Sequence, residues 1–380
     1  MIRLLAVVGG SLLITVVLLS ALQTVVLPTG GLTRITRFVF AATNRIFIRR
    51  RGFIERFGWS RLFAPVSLVM LPLAWASSVL VGFGFINWSL HAGSMNDSMA
   101  MSGSSLFTLG FIKPPNNGLI ILSFLEALIG LGLVALLISF LPTLYSAFSE
   151  REQGVGLFRP VLGMPPVGTD MLRRMHAMGL LGPSPVWSSL AQWFSELQQS
   201  HTAFPVLSSF PPQVSTESWV VTAGAILDAG ALALSSLDHS DVNANTSGPG
   251  AEFVMVVAHG LSAVTRVGSA AGLPGGPERA IVDVLFDPVD DVEIRVTRAE
   301  FDEAVAQLRT AGLPIREDLE EGWRVFRLVR GSYEDWILGL AGLTHAPTAP
   351  WTSDRPFAVG RPHFFSRRPL QVTMKPPDQS

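Results

Sequence analysis

Three stretches of this chain, residues 4–27, 62–88 and 119–148, are apolar throughout or interrupted by a single charge, Glu126. Each exceeds the roughly 20 residues a helix needs to cross about 30 Å of hydrocarbon. A backbone placed there finds no water, so its N–H and C=O groups must pair within the segment, and helices are the form open to it. Only 15 % of the residues are charged, which suits an integral membrane protein. The first stretch follows Arg3 and is much longer than the core of a signal peptide, so a retained anchor is expected.

Charge is unevenly placed. Residues 1–150 carry ten Lys/Arg and four Asp/Glu, and the remainder carries eighteen and twenty-five. A basic membrane half beside an acidic half argues against a nucleic-acid partner. Between the first two apolar stretches, Arg34, Arg37, Arg45, Arg49, Arg50, Arg51, Arg56 and Arg61 face only Glu55. By the positive-inside rule this loop is cytoplasmic, which sets the N-terminus outside and the chain after residue 150 inside. Phe38, Phe40, Phe47 and Phe53 are interleaved with the arginines. The loop is therefore either a topology signal alone or an interfacial helix whose partners are anionic membrane lipids.

The thirty residues between the second and third stretches are too many for a tight turn. Asn96 or Asp97 is placed to cap a short helix over 98–107. Thr108, Leu109, Gly110, Phe111 and Ile112 follow, and Lys113, two prolines, two asparagines and Gly118 form a return turn. A polar segment ending in Thr-x-Gly-aromatic, held between two spans, has the layout of a re-entrant pore loop. In such loops backbone carbonyls replace an ion's water shell.

The third stretch adds Leu125-Glu126-Ala127-Leu128-Ile129-Gly130-Leu131-Gly132 directly after this loop. Together these residues resemble the bacterial two-transmembrane, one-pore-loop potassium-channel family over about residues 62–150. The resemblance implies a selectivity filter at Thr108, Leu109, Gly110, Phe111 and Ile112, with a monovalent cation, K⁺ by analogy, as permeant ion and no cofactor. It implies a gating hinge at Gly130 or Gly132 and four copies around one axis, since one chain supplies one filter loop. Two positions depart from the pattern: Ile112 stands where the second filter glycine is usual, and Lys113 where an aspartate is usual. Glu126 is read either as support behind the filter or as a carboxylate reaching the outer water. Gly130 and Gly132 fit a hinge and close helix packing equally. Pro142 is expected to kink or end the apolar part.

Beyond residue 150, helical patterns run over 170–181, 185–200, 218–237, 251–271, 298–311 and 318–340. Residues 281–286 and 292–296 look like strands. The 219–237 segment is apolar enough to pass for a fourth span, but Asp228 at its centre favours a buried helix of a water-facing domain. Asp283, Asp287, Asp290, Asp291 and Glu293 read as a solvated acidic loop or an oxygen site for Ca²⁺ or Mg²⁺. Asp238-His239-Ser240 has triad residue types but no triad geometry by virtue of adjacency. Without Cys, H-E-x-x-H, G-x-S-x-G or a P-loop, no enzyme and no metal centre are expected.

The chain thus divides into an anchor (1–30), a basic cytoplasmic loop (31–61), a pore module (62–150), a linker (151–168), a mainly helical cytoplasmic domain (169–345) and an extended or disordered tail (346–380). The fold class expected is mainly α, with three transmembrane helices plus a re-entrant pore helix. The function expected is a tetrameric cation-channel subunit, with a non-conducting sensor or scaffold and a nonselective cation channel as alternatives.

Overall fold

The computed structural model describes residues 1–25, 63–90, 93–182, 184–210, 212, 217–238, 250–274, 280–286 and 292–355. The arginine-rich loop, most of the acidic cluster, His239, Ser240 and the tail beyond residue 355 lie outside the described residues. The fold is mainly helical and falls into two units, Met1–Ser146 and Ala147–Ser380.

In the first unit, α1 (Ile2–Val25) packs along α2 (Phe63–Leu90), and α2 holds the short α3 (Met95–Leu106). Gly10 and Gly82 let the first pair approach closely: a Cβ on Gly10 would stand 2.5 Å from the Gly82 carbonyl. Val17, Trp75, Val79, Phe83, Leu106 and Leu133 form the buried apolar cluster, Leu133 coming from α4 (Asn117–Leu162). The cap of α3 is Ser94, not Asn96 or Asp97. Its hydroxyl accepts from the Asp97 N–H at 3.2 Å while the Asp97 carboxylate accepts from the Ser94 N–H, a reciprocal capping box. Asn116 opens α4 by accepting the Leu119 N–H at 3.0 Å.

The second unit begins within α4. Pro142 neither ends nor interrupts this helix, which runs to Leu162. Residues 151–162 are therefore helix and not linker, and Val155, Phe158 and Leu162 join the second unit's core. Gly154, a linker signal by composition, is a packing slot: a Cβ there would meet the Trp193 ring at 2.1 Å. The remaining helices are α5 (Gly168–Ala177), α6 (Pro185–Ala203), α7 (Trp219–Ser236), α8 (Ala251–Ala270), α9 (Ile281–Phe286), α10 (Arg298–Thr310) and α11 (Leu319–Thr344). At the centre lies α7, against α5, α8 and α11.

Five described helices are long and apolar enough to cross a membrane: α1, α2, α4, α7 and α8. Burial separates them. Only 28, 39 and 22 % of the spanning windows of α1, α2 and α4 are buried, against 94 % for α7 and 56 % for α8. The apolar surface of α7 is spent on neighbours within its own unit, whereas α1 and α4 leave theirs for hydrocarbon or another chain.

Two further expectations are corrected by the structure. Residues 281–286 are the helix α9, and 292–296 form no strand. Short apolar runs do not distinguish strand from buried helix by periodicity, and packing of α9 on α11 decides the case. The tail is not extended away at its start: Ala349 and Thr352 are buried, and the Trp351 carbonyl accepts from Arg330.

Candidate functional site

Helix α3 ends at Leu106 and the chain turns back on it. The N–H groups of the next six residues all point to the helix end. Phe107 donates to the Gly103 carbonyl at 3.1 Å and Thr108 to the Ser105 carbonyl at 3.0 Å. Leu109 and Gly110 donate to the Ser104 carbonyl at 2.9 and 3.3 Å. Phe111 and Ile112 donate to the Ser104 hydroxyl at 3.1 and 3.2 Å. Successive N–H groups that converge this way form a concavity suited to an acceptor, and two oxygens of one serine fill it.

This folding back requires unusual backbone angles. Thr108 has φ 54° and Gly110 φ 67°, both left-handed. For threonine that conformation costs on the order of 1–3 kcal/mol, the kind of strain that collects at functional loops. The consequence is polarity. With the N–H groups of residues 107–112 turned inward, no described group donates to their carbonyl oxygens. Leu109 and Phe111 are 64 and 65 % exposed, and Thr108, Gly110 and Lys113 are exposed too. Taken alone, the first unit leaves this acceptor-rich edge uncovered.

Behind the loop, Glu126 on α4 is fully buried. The Ser102 hydroxyl bridges α2 and α4, standing 2.9 Å from the Leu80 carbonyl and in contact with Glu126 Oε1. Glu126 therefore does not reach outer water; it ties α4 to the helix that carries the loop. Its second oxygen, Oε2, has no partner among the described residues.

The two glycines of α4 are unlike. Gly130 is buried against the end of α3, and a Cβ on it would lie 2.1 Å from the Leu106 carbonyl. It is a close-approach site for the helix that carries the loop. Gly132 is exposed, and a methyl group on it would meet no described atom within 4 Å. It borders an apolar groove of about 460 Å³ with Leu18, Ala21, Ile129 and Leu136.

The sequence-expected filter residues, Glu126 and Gly130 thus share one region of the first unit. Sequence reasoning does not single out Ser102 and Ser104. A serine spacing of 98, 102 and 104–105 on a short, poorly apolar helix is a weak signal, since the role of each hydroxyl depends on how the following loop returns.

In the second unit, Asp228 at the centre of α7 accepts from Arg330 and, at 2.7 Å, from the Tyr333 hydroxyl. Arg330 also meets Glu334 at 3.1 Å. Burial first and the Asp228 charge second push the Tyr333 phenol well above its usual range. Arg151 is buried too, donating to the Leu207 and Phe210 carbonyls at 3.0 and 3.3 Å and pairing with Glu152 at 2.8 Å. Buried His201 lies against Trp219, ring centroids 5.1 Å apart. Burial first, then the Arg151 charge, hold its imidazole well below the ordinary range, with the Leu197 carbonyl opposing. The Asp228, Arg330, Tyr333 and Arg151 side chains thus find their partners within the unit, whereas His201 has its Nδ1 3.1 Å from the Leu197 carbonyl and its Nε2 without a partner among the described residues. Asp283 and Glu293, the described members of the acidic cluster, are exposed. Asp238 donates its N–H to the Pro314 carbonyl at 2.9 Å.

No family model, no curated protein and no solved structure matches this chain.

Proposed function

We propose that the chain is one subunit of an oligomeric cation channel, with residues 107–112 as its contribution to the ion path. One observation carries this reading: six consecutive N–H groups are consumed by the end of α3, while the loop's carbonyl oxygens have no donor among the described residues. A row of carbonyl dipoles is a cation ligand set, and several such rows around an axis replace a hydration shell. Unpaired backbone at membrane depth is tolerated where it lines water or is buried in protein, conditions that additional copies of the loop would meet. Exposed apolar residues on α4, among them Phe124, Leu128, Leu131 and Ile138 at 63–69 %, supply a face on which copies can assemble. A tetramer is the arrangement we infer from one loop per chain. Thr108, Leu109, Gly110, Phe111 and Ile112 carry the filter, Glu126 supports it from behind, and conduction involves no covalent step.

Lys113, exposed at the loop's end, favours a second reading in which K⁺ selectivity is lost and the pore is nonselective. Purified protein in a planar bilayer with K⁺ on one side and Na⁺ on the other separates the two. A reversal near the K⁺ limit supports the selective filter, and a reversal near zero with robust current supports the nonselective pore. Silence, persisting in Ile112→Gly/Lys113→Asp, would overturn both and leave a membrane-anchored scaffold.

A further inference from the structure

Ile112 stands where the resembled family places a glycine, and glycine there relieves the backbone of a Cβ in unusual conformations. This chain does not force Ile112 into that conformation: its φ lies outside the left-handed region, which among these residues is taken up by Thr108 and Gly110. Something else must hold the far end of the loop. The two N–H groups at that end, Phe111 and Ile112, share one acceptor, the Ser104 hydroxyl, at 3.1 and 3.2 Å. A serine oxygen has two lone pairs and can take both. Ser104 is 2 % exposed and sits in the last turn of α3, where its own carbonyl has no intrahelical partner and instead takes Leu109 and Gly110. Four consecutive amides are thus fixed by one residue, two by its backbone and two by its side chain.

We propose that Ser104 is the positioning residue that sets ion selectivity in this loop, its hydroxyl fixing residues 111 and 112 in place of a filter glycine. The inference rests on the cation-channel reading above, and it concerns a residue that touches no ion. It acts through the carbonyls, because an amide plane whose N–H is held has its C=O neighbours aimed.

The division between side chain and backbone gives the test an internal control. In Ser104→Ala, amide exchange of full-length protein in detergent, followed by NMR, should accelerate about tenfold at Phe111 and Ile112, the factor expected for one lost hydrogen bond. Leu109 and Gly110, held by the retained carbonyl, should be unchanged; this also shows that the variant is folded. In K⁺/Na⁺ bilayers the reversal potential of Ser104→Ala should move toward zero, Ser104→Thr should restore it, and Ile112→Gly in the Ser104→Ala background should restore part of it. Unchanged exchange at Phe111 and Ile112 would overturn the proposal whatever the currents show. Accelerated exchange with an unmoved reversal would overturn the selectivity role. A wild type that passes current without selectivity would overturn the selectivity role, and a silent wild type, with exchange still accelerated in Ser104→Ala, would overturn the conduction reading and leave Ser104 as the residue that holds the loop.

Discussion

Each unit of this protein buries one carboxylate in an apolar helix, and the two are treated differently. Asp228 in α7 meets a guanidinium and a phenol, both donating to its Oδ1, so its charge is matched. Glu126 in α4 meets a serine hydroxyl, and its Oε2 has no partner among the described residues. A matched ion pair is a structural solution, closed on itself. A carboxylate held by a single hydroxyl behind a strained, acceptor-rich loop is half-satisfied, and it is not closed on itself. The same sequence signal, one acid inside a long apolar run, therefore has two meanings. The presence or absence of a basic partner elsewhere in the chain distinguishes them.

The sharpest way to break this comparison is to remove Asp228. Asp228→Ala leaves Arg330 buried without its main counter-charge, and loss of one partner of a buried pair costs about 3–5 kcal/mol. Cooperative unfolding of the tryptophan-rich second unit should disappear or shift sharply downward in a detergent thermal melt. The double change Asp228→Leu/Arg330→Met should recover much of the loss, because an apolar pair of similar volume needs no charge matching. If Asp228→Ala melts like the wild type, the second unit does not depend on the pair, and the contrast with Glu126 fails.

Gly130→Ala is next in size. The new methyl would press on the Leu106 carbonyl, a backbone atom that cannot rotate aside, and such overpacking costs about 1–3 kcal/mol. The loop hangs from the end of that helix, so melting temperature and ion selectivity should fall together. A variant with normal selectivity would show that the end of α3 does not control the loop.

A pH effect sharpens the account of the second unit. His201 is neutral when folded, its pKa held below the value it has in the unfolded chain. Below about pH 6.5 the unfolded chain binds a proton that the folded one does not, so stability is fully present above that pH and falls on acidification. The charge that would form lies beside Arg151, whose own partner is Glu152. Thermal melts between pH 7.5 and 5 should show this loss in the wild type and a shallower one in His201→Phe. Equal slopes in the two proteins would show that His201 does not titrate on unfolding.

How much of this is legible in the sequence varies with how local the cause is. The bounds of α1, α2 and, α9 apart, the helices from α5 onward are close to those read from the apolar pattern, because period and capping are local properties. The end of α4 is not legible in the same way, since Gly154, Gly156 and Pro160 look like linker composition until Trp193, some forty residues on, fills the space above Gly154. The α9 segment reads as a strand for the same reason, its partner being the distant α11. In the candidate site, the filter positions and Glu126 stand out by type and spacing. Ser104 does not, because its four amide partners converge on it only after the chain has doubled back through Thr108 and Gly110.

The smallest effect tests what the glycines of α4 are for. Gly132 has open space around it, so Gly132→Ala meets no steric objection, and alanine favours helix over glycine by about 0.5–1 kcal/mol. If Gly132 has no task in bending, the substitution should be neutral or slightly stabilising and leave any current unaltered. If it is the point at which α4 bends, the same substitution should leave the melt alone and reduce open probability in the bilayer. That second outcome would assign the two glycines different tasks. Gly130 would hold the loop-bearing helix against α4, Gly132 would let α4 move, and the hinge would lie one turn or less from the residue that cannot yield.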